Sequence, residues 1–450
     1  MSVLKILAIL NILLFLGIIL FYRGDKNRLF IKYILLSFPL LSLFVVPMMD
    51  GFDIITIIFG LFFYRKRDVQ LYNGAIYTIL FSALLVVIAT GLILSGQYGT
   101  DTLHEIIAVF TMLGFAKILI DECLHDPYFF YKAIGYLKIT LLASFVFLAG
   151  QFVFGVERFS LIKTMNPNII LADAVRYPSF LSDPQTYSQF LAALSFTCLI
   201  KDPREEKFNK LNYVFVVMAL VSIMVAGGRA GLMGWALGMS LVVMFGNASY
   251  RYALVTAIIA MYFIAINFQD KFAIFKRGGD LNETYEFRHS IWMDALTIFQ
   301  KHPFFGIGFG NYANYVSVHH PDQVWVIDNE PLYFDQPESG YLKFLTELGG
   351  LGFICIFGLI MIPMIRSFVY YLISKDTSLI LLIAGILAWM VGFYSTYSFG
   401  DTRIKLMIVT LVSLLISSRQ RLEAIYDEMA AGDETEENTM LPIETHESPA

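Results

Sequence analysis

The sequence predicts an all-α polytopic integral membrane protein with about 12–13 transmembrane helices, joined by a large extracytoplasmic loop that contains a short amphipathic helix. Composition is the first reason. Hydrophobic residues make up 57% of the 450 residues and charged residues 15%, with a mean hydropathy of +0.65. A soluble domain carries roughly a quarter charged residues, so this chain has too few to cover a water-facing surface. Patterning is the second. Apolar residues arrive in blocks of spanning length, near 3–21, 29–48, 53–64, 74–95, 104–120, 133–154, 185–200, 211–227, 230–247, 251–267, 340–371, 377–397 and 403–417. A helix satisfies all its backbone groups internally, which hydrocarbon demands. A transmembrane β-barrel would show short alternating strands, and none are read.

The first block, 3–21, reads as a span. No small-residue cleavage site follows it, only Arg23-Gly-Asp-Lys-Asn-Arg28. Orientation comes from lysine and arginine in the short loops. Arg23, Lys26 and Arg28, then Arg65, Lys66 and Arg67, then Lys201, Arg204, Lys207 and Lys210, then Arg419 and Arg421 mark the cytoplasmic side. The opposite loops, 96–103, 155–184 and 268–339, are long or poor in such residues. The organisation is therefore transmembrane helices over 1–267 with a smaller outer loop at 155–184, a large outer loop at 268–339 and C-terminal helices over 340–417. An acidic tail at 418–450 follows, expected to be disordered and cytoplasmic. The N-terminus is ambiguous, since an odd or an even number of spans places it on opposite sides.

Net charge is −5, but the tail carries the excess. The remainder is close to neutral and offers no basic patch for nucleic acid. Three cysteines, Cys123, Cys198 and Cys355, lie in or beside apolar segments and match neither a disulfide framework nor a metal knuckle.

A loop as long as 268–339 is uncommon without a function. It holds four histidines (His289, His302, His319, His320) and two tryptophans (Trp292, Trp325). Phe287, Ile291, Ala295 and Ile298 recur on one face, predicting a helix over Glu286–Phe299 that lies in lipid or on the bundle. The histidines lack metal-ligand spacing, and neither metal nor cofactor is expected.

Candidate chemistry sits in charged residues at outer positions. Arg229 lies in Ala226-Gly-Gly-Arg-Ala-Gly231, a tight connection between two spans, where a charge is costly unless it faces a polar cavity. The glycines would let a phosphate approach the backbone; the alternative is an arginine snorkelling to the outer headgroups. Arg288 stands on the polar face of the loop helix, beside His289. With Arg229 it would clamp a diphosphate; alone it would be a solvated arginine. Arg176 and Arg403 are further positive charges at outer ends, where they are usually depleted. Glu338, just before the span at 340, is a candidate general base, or a carboxylate favoured by a helix N-terminus. His319 and His320 are alternative bases.

These residues resemble the signature of the bacterial O-antigen polymerase and O-antigen ligase family. The carriers are Arg288-His-Ser-Ile-Trp-Met-Asp-Ala-Leu…His302-Pro-Phe-Phe-Gly-Ile-Gly-Phe-Gly-Asn311, Pro337-Glu-Ser-Gly-Tyr-Leu…Gly352, Ala226-Gly-Gly-Arg-Ala-Gly231 and Arg176-Tyr-Pro-Ser-Phe-Leu-Ser-Asp-Pro184. The serine that opens the family's Ser-x-x-Arg element is absent here. The resemblance implies a metal-independent integral-membrane glycosyltransferase in the bacterial inner membrane, with its active face periplasmic. It would join undecaprenyl-diphosphate-linked oligosaccharides into a polysaccharide. On this reading Arg288, Arg229 and Glu338 are catalytic, while Arg176, Arg403, His289, His319, His320 and Tyr341 bind substrate. Partners would be the lipid bilayer and the lipid-linked glycans, with room for a chain-length regulator. The ligase branch carries a histidine where Pro337-Glu338-Ser339-Gly340 stands, which favours a polymerase. A lipid-linked sugar flippase is the alternative from another class; it would predict internal repeats and helices broken near the midplane, and no duplication is detected.

Overall fold

Capping side chains and left-handed residues mark where the helices begin and end. The structure, a computed structural model, describes residues 3–96, 99–161, 170–171, 174–205, 209–268, 273–276, 281–319, 324–327, 330–333 and 336–439. Its helices are α1 (Val3–Phe21), α2 (Lys26–Leu36), α3 (Gly51–Phe62), α4 (Gly74–Ser95), α5 (Thr100–His125), α6 (Phe129–Phe154), α7 (Pro184–Ser195), α8 (Leu211–Ala226), α9 (Arg229–Phe245), α10 (Ala248–Phe268), α11 (Ala273–Lys276), α12 (Leu281–Lys301), α13 (Tyr312–His319), α14 (Gly340–Ser374), α15 (Thr377–Ser395) and α16 (Thr402–Thr439). Three antiparallel hairpins join them: β1–β2 (Phe44–Val46, Met49–Asp50), β3–β4 (Ile170–Leu171, Ala174–Val175) and β5–β6 (Val324–Ile327, Glu330–Tyr333). Asp25, Asp183 and Asp376 accept first-turn N–H groups of α2, α7 and α15. This satisfies donors that have no partner within the helix.

The chain is an all-α polytopic membrane protein. Among the described residues, α1, α4, α5, α6, α14 and α15 are each long and apolar enough to cross a membrane. Shorter apolar helices include α3, α8, α9 and Tyr250–Ile259 within α10. Two apolar blocks fold differently from simple spans. Block 29–48 ends as a helix at Leu36, because Pro39 follows. A 3-10 turn (Phe38–Leu40) and the β1–β2 hairpin take over. Block 185–200 yields only the 12-residue α7, buried at every position except Gln185, and about 18 Å long at 1.5 Å per residue.

α7 sits in the middle of the bundle, against α8, α9 and α15. Small residues permit this. A Cβ on Gly234 of α9 would fall 2.1 Å from the Ala388 carbonyl oxygen of α15, and one on Gly385 would fall 2.5 Å from that of Ala193 in α7. Close backbone approach maximises dispersion contacts where lipid gives helices no hydrophobic drive to associate.

The basic loops gather at one end. Glu122, buried, accepts from Asn27, Arg28 and Arg67. Arg28 also pairs with Asp126 at 2.9 Å, and Arg204 lies over the Tyr128 ring at 4.4 Å. Arg421 stacks on Phe130 at 3.7 Å and donates to the Tyr131 hydroxyl at 2.8 Å. The acidic tail begins in this cluster. α16 runs past residue 417 as a helix, burying Arg421, Leu422 and Ile425, because those two apolar residues continue its inward stripe. Residues 440–450 lie outside the described residues. At the opposite end stand the 176–184 loop, the start of α9, α12 and the start of α14.

Candidate functional site

The 176–184 loop is fixed from several sides. Gln151 bonds both backbone groups of Ser179, donating to its carbonyl at 2.7 Å and accepting from its N–H at 2.9 Å. This holds Ser179 at φ 56°. Arg403, fully buried, pairs with Asp401 through two hydrogen bonds, Nε to Oδ1 at 2.8 Å and Nη2 to Oδ2 at 2.6 Å. It also donates to the carbonyls of Phe180 and Pro39, and Asp401 accepts from Ser182 at 3.1 Å. Arg403 is thus a staple on the loop, with its fork committed to protein acceptors.

That staple is testable by pH. Burial alone would raise the Asp401 pKa, but the charge and hydrogen bonds of Arg403 hold it below the usual carboxylate range. A depressed folded pKa contributes stability above the unfolded value of about 3.9, lost as pH falls through the folded value. Asp401→Asn should therefore destabilise the protein by about 3–5 kcal/mol at neutral pH, by leaving a buried arginine unpaired. Thermal melts in detergent should show its gap from wild type narrowing below pH of about 4.

Arg176 opens the loop. It is fully buried and its Nε donates to the Ala226 carbonyl at 3.0 Å. Three residues on, Arg229 begins α9 and is half-buried. Between them Gly227 takes φ 68° to end α8. A Cβ on Gly228 would lie 1.9 Å from Ser188 Oγ, so this connection presses on the first turns of α7, whose N-cap is Asp183. Burial lowers the Arg176 pKa; Asp183 opposes this and Arg288 adds to it.

Arg288 arrives on α12, and its Nη2 stands 3.7 Å from Glu338 Oε2. The pair keeps 23% and 30% side-chain exposure, so it faces solvent without being fully hydrated. Glu338 has φ 53°, a left-handed conformation that a side chain makes costly. α12 is placed by its apolar face. Ala295 and Ile298 are buried with Ile307, Tyr312 and Val316, Ile291 is also buried, and Trp292 packs on Tyr394 of α15. Of the predicted face, Ile291, Ala295 and Ile298 lie on the protein; the Phe287 side chain lies outside the described residues.

The glycine-rich motif does a different job. α14 breaks at Gly349 (φ 64°, ψ −177°). The carbonyls of Thr346 and Glu347 accept from the N–H groups of Ile307 and Gly308, at 2.9 and 3.1 Å. In return Gly350 and Leu351 donate to the Pro303 and Phe304 carbonyls, at 2.7 and 3.3 Å. Glu347, buried, accepts from Gly310 and Tyr312 N–H at 3.1 Å each. Gly306, Gly308 and Gly310 all have positive φ. The motif is a splice across a broken helix.

The structure thus brings Arg176, Arg229, Arg288 and Glu338 to one end: Arg176 bonds the carbonyl three residues before Arg229, Arg288 pairs with Glu338, and Arg176 and Arg288 repel each other. His289 is exposed beside Arg288. Tyr341 donates to the Met390 carbonyl at 2.8 Å and stacks on Phe357, packing the start of α14. His319 lies beyond the far end of α12, stacked on Tyr315. His320 lies outside the described residues. Sequence reasoning did not single out Asp183, Asp401 or Glu347. Asp183 was readable from Ser-Asp-Pro, an N-cap followed by proline at the first helical position; the other two carry no local signal.

Residues 214–357 match the family model described as O-antigen ligase. Over that segment the chain is similar to the O-antigen ligase family. The matched segment includes Arg229, Arg288, Glu338 and both halves of the splice; Arg176 and Arg403 lie outside it. No curated protein matches the chain.

Proposed function

We propose that this protein is a polysaccharide polymerase that joins undecaprenyl-diphosphate-linked oligosaccharides on the periplasmic side of the bacterial inner membrane. The observation that carries the reading is the convergence of three arginines and one carboxylate at the end of the bundle away from the basic loops. In the reaction a sugar hydroxyl oxygen attacks the anomeric carbon of a second lipid-linked glycan. The bond from that carbon to the diphosphate oxygen breaks, and its electron pair leaves with undecaprenyl diphosphate. Glu338 takes the hydroxyl proton and passes it to water. Arg176, Arg229 and Arg288 lie where charge accumulates on the leaving diphosphate, and preorganised donors in a partly dry site stabilise that charge most. Because both substrates are held in one bilayer plane, less entropy is lost as they meet.

Arg288 has two partners in this scheme. In the resting site its Nη2 stands 3.7 Å from Glu338 Oε2. On diphosphate binding the guanidinium fork turns to phosphate oxygens, freeing the carboxylate for the acceptor hydroxyl. Polymerase is favoured over ligase because Glu338, not a histidine, occupies the position before α14.

Deleting the gene and analysing lipid-linked glycans by gel and mass spectrometry tests the proposal. Single repeat units replacing long chains, restored by wild type and not by Arg288→Ala, are the expected result. Long chains retained on the carrier lipid would indicate a ligase. An unchanged glycan profile would overturn the transfer reading.

A further inference from the structure

About 20 Å from Arg288 along α12, at 1.5 Å per residue, lies a cavity of about 340 Å³. It opens where the glycine-rich splice meets the end of α4, and His302, Phe304, Asn311, Tyr315, His319 and Ser95 are among its lining residues. None of its lining residues is an arginine, lysine, aspartate or glutamate. A diphosphate or a metal cation would find no counter-charge there.

Its walls are aromatic and polar together. The Tyr315 and His319 rings stack with centroids 4.1 Å apart and 15° between planes. His302 meets Tyr315 edge-on at 5.8 Å and 84°, with its Nε2 3.4 Å from the tyrosine hydroxyl. His319 Nδ1 donates to the Tyr315 carbonyl at 3.1 Å. Phe304 stands at the rim, 66% exposed. Burial lowers the His302 pKa, and His319 and Lys301 add to this, so the imidazole is neutral at pH 7. The backbone around it is rigid, since the Ile307 N–H and the Phe304 carbonyl belong to the splice and Asn311 donates to the Ile307 carbonyl at 3.0 Å.

Flat apolar faces beside neutral donors and acceptors match one ligand chemistry, the pyranose ring, whose C–H face stacks on an aromatic while its hydroxyls bond to imidazole and amide. We infer that this cavity is a remote saccharide subsite, holding neutral sugar rings of a lipid-linked glycan several residues from the bond being made. This rests on the transfer reading above, with both sites on the same side of the membrane. A subsite at this distance would keep a growing chain attached between transfers, so its loss would shorten the product.

The test uses the full-length protein in detergent and the host's own repeat-unit oligosaccharide, released from its carrier lipid by mild acid. Calorimetric titration compares wild type with Phe304→Ala, His319→Ala and Arg288→Ala. The two alanine variants in the cavity alter exposed side chains, so folding survives, and a thermal melt checks this. Expected is binding weakened about tenfold by Phe304→Ala and by His319→Ala. Arg288→Ala should bind as wild type does, because the probe carries no diphosphate. In cells the cavity variants should give shorter polymer and Arg288→Ala none. Equal binding by wild type and both cavity variants would overturn the subsite, and would leave the transfer reading standing if Arg288→Ala still abolishes polymer. Binding lost in Arg288→Ala alone would place the saccharide at the arginines and overturn the subsite as well. An unchanged glycan after gene deletion would instead remove the transfer reading, and the subsite with it.

Discussion

Arg288→Lys is expected to lower polymer formation about 10²–10³-fold although the positive charge is kept. Lysine offers a point charge where the guanidinium presents a planar fork, and only the fork can span two phosphate oxygens while staying close to Glu338. Glu338→Gly sharpens this result. Glu338 sits at φ 53°, a conformation that costs a side-chain-bearing residue about 1–2 kcal/mol. Glycine relieves that strain, so the variant should melt at or above the wild-type temperature while losing transfer. A residue kept for stability would behave in the opposite way. The measurement is a thermal melt in detergent beside a glycan gel from complemented cells. Lower stability with normal polymer would make Glu338 a structural carboxylate and remove it from the mechanism.

The second large effect is on folding. Gly349→Ala should leave almost no folded protein in the membrane. Its φ of 64° with ψ −177° belongs to a region essentially reserved for glycine. An added Cβ would lie 2.3 Å from the Phe304 carbonyl. Gly306→Ala should fail in the same way, since its Cβ would lie 2.4 Å from the Glu347 backbone at φ 69°. Both changes pry the splice apart, breaking four backbone hydrogen bonds and the Glu347 contacts together. Gly135→Ala is the control, because nothing lies within 4 Å of its Cβ. Detergent extraction followed by size-exclusion chromatography reads the outcome. Normal yields of Gly349→Ala would mean that the helix break is dispensable.

Much of this molecule was legible from local chemistry. Membrane-spanning length and apolarity, the clustering of lysine and arginine in alternate loops, and the Phe287-Ile291-Ala295-Ile298 periodicity each depend on neighbours within a few turns. Length and period are properties that a one-dimensional reading captures. The start of α7 at Asp183-Pro184 belongs here too, although its meaning as part of the site does not.

Tertiary structure decided the rest. Arg403 has Asp401 two residues before it, but only the fold adds the remote Phe180 carbonyl and buries the pair; Arg288 finds its carboxylate fifty residues away, at Glu338. Block 185–200 has the apolarity of a span, yet α7 stops after 12 residues and is enclosed by α8, α9 and α15. The acidic tail reads as disordered by composition, but Leu422 and Ile425 find the bundle and carry α16 onward. Gly306-x-Gly-x-Gly310 carries no local sign of its partner, which Gly349, distant in sequence, provides by exposing the backbone groups it binds. By itself the sequence determined a polytopic membrane protein and the outer arginines from which a site could be built. Which arginine pairs with Glu338, and how the Arg403–Asp401 pair is buried against the Phe180 carbonyl, was set by contacts between residues far apart in the chain, where the partner and not the residue type fixes what a charge can do.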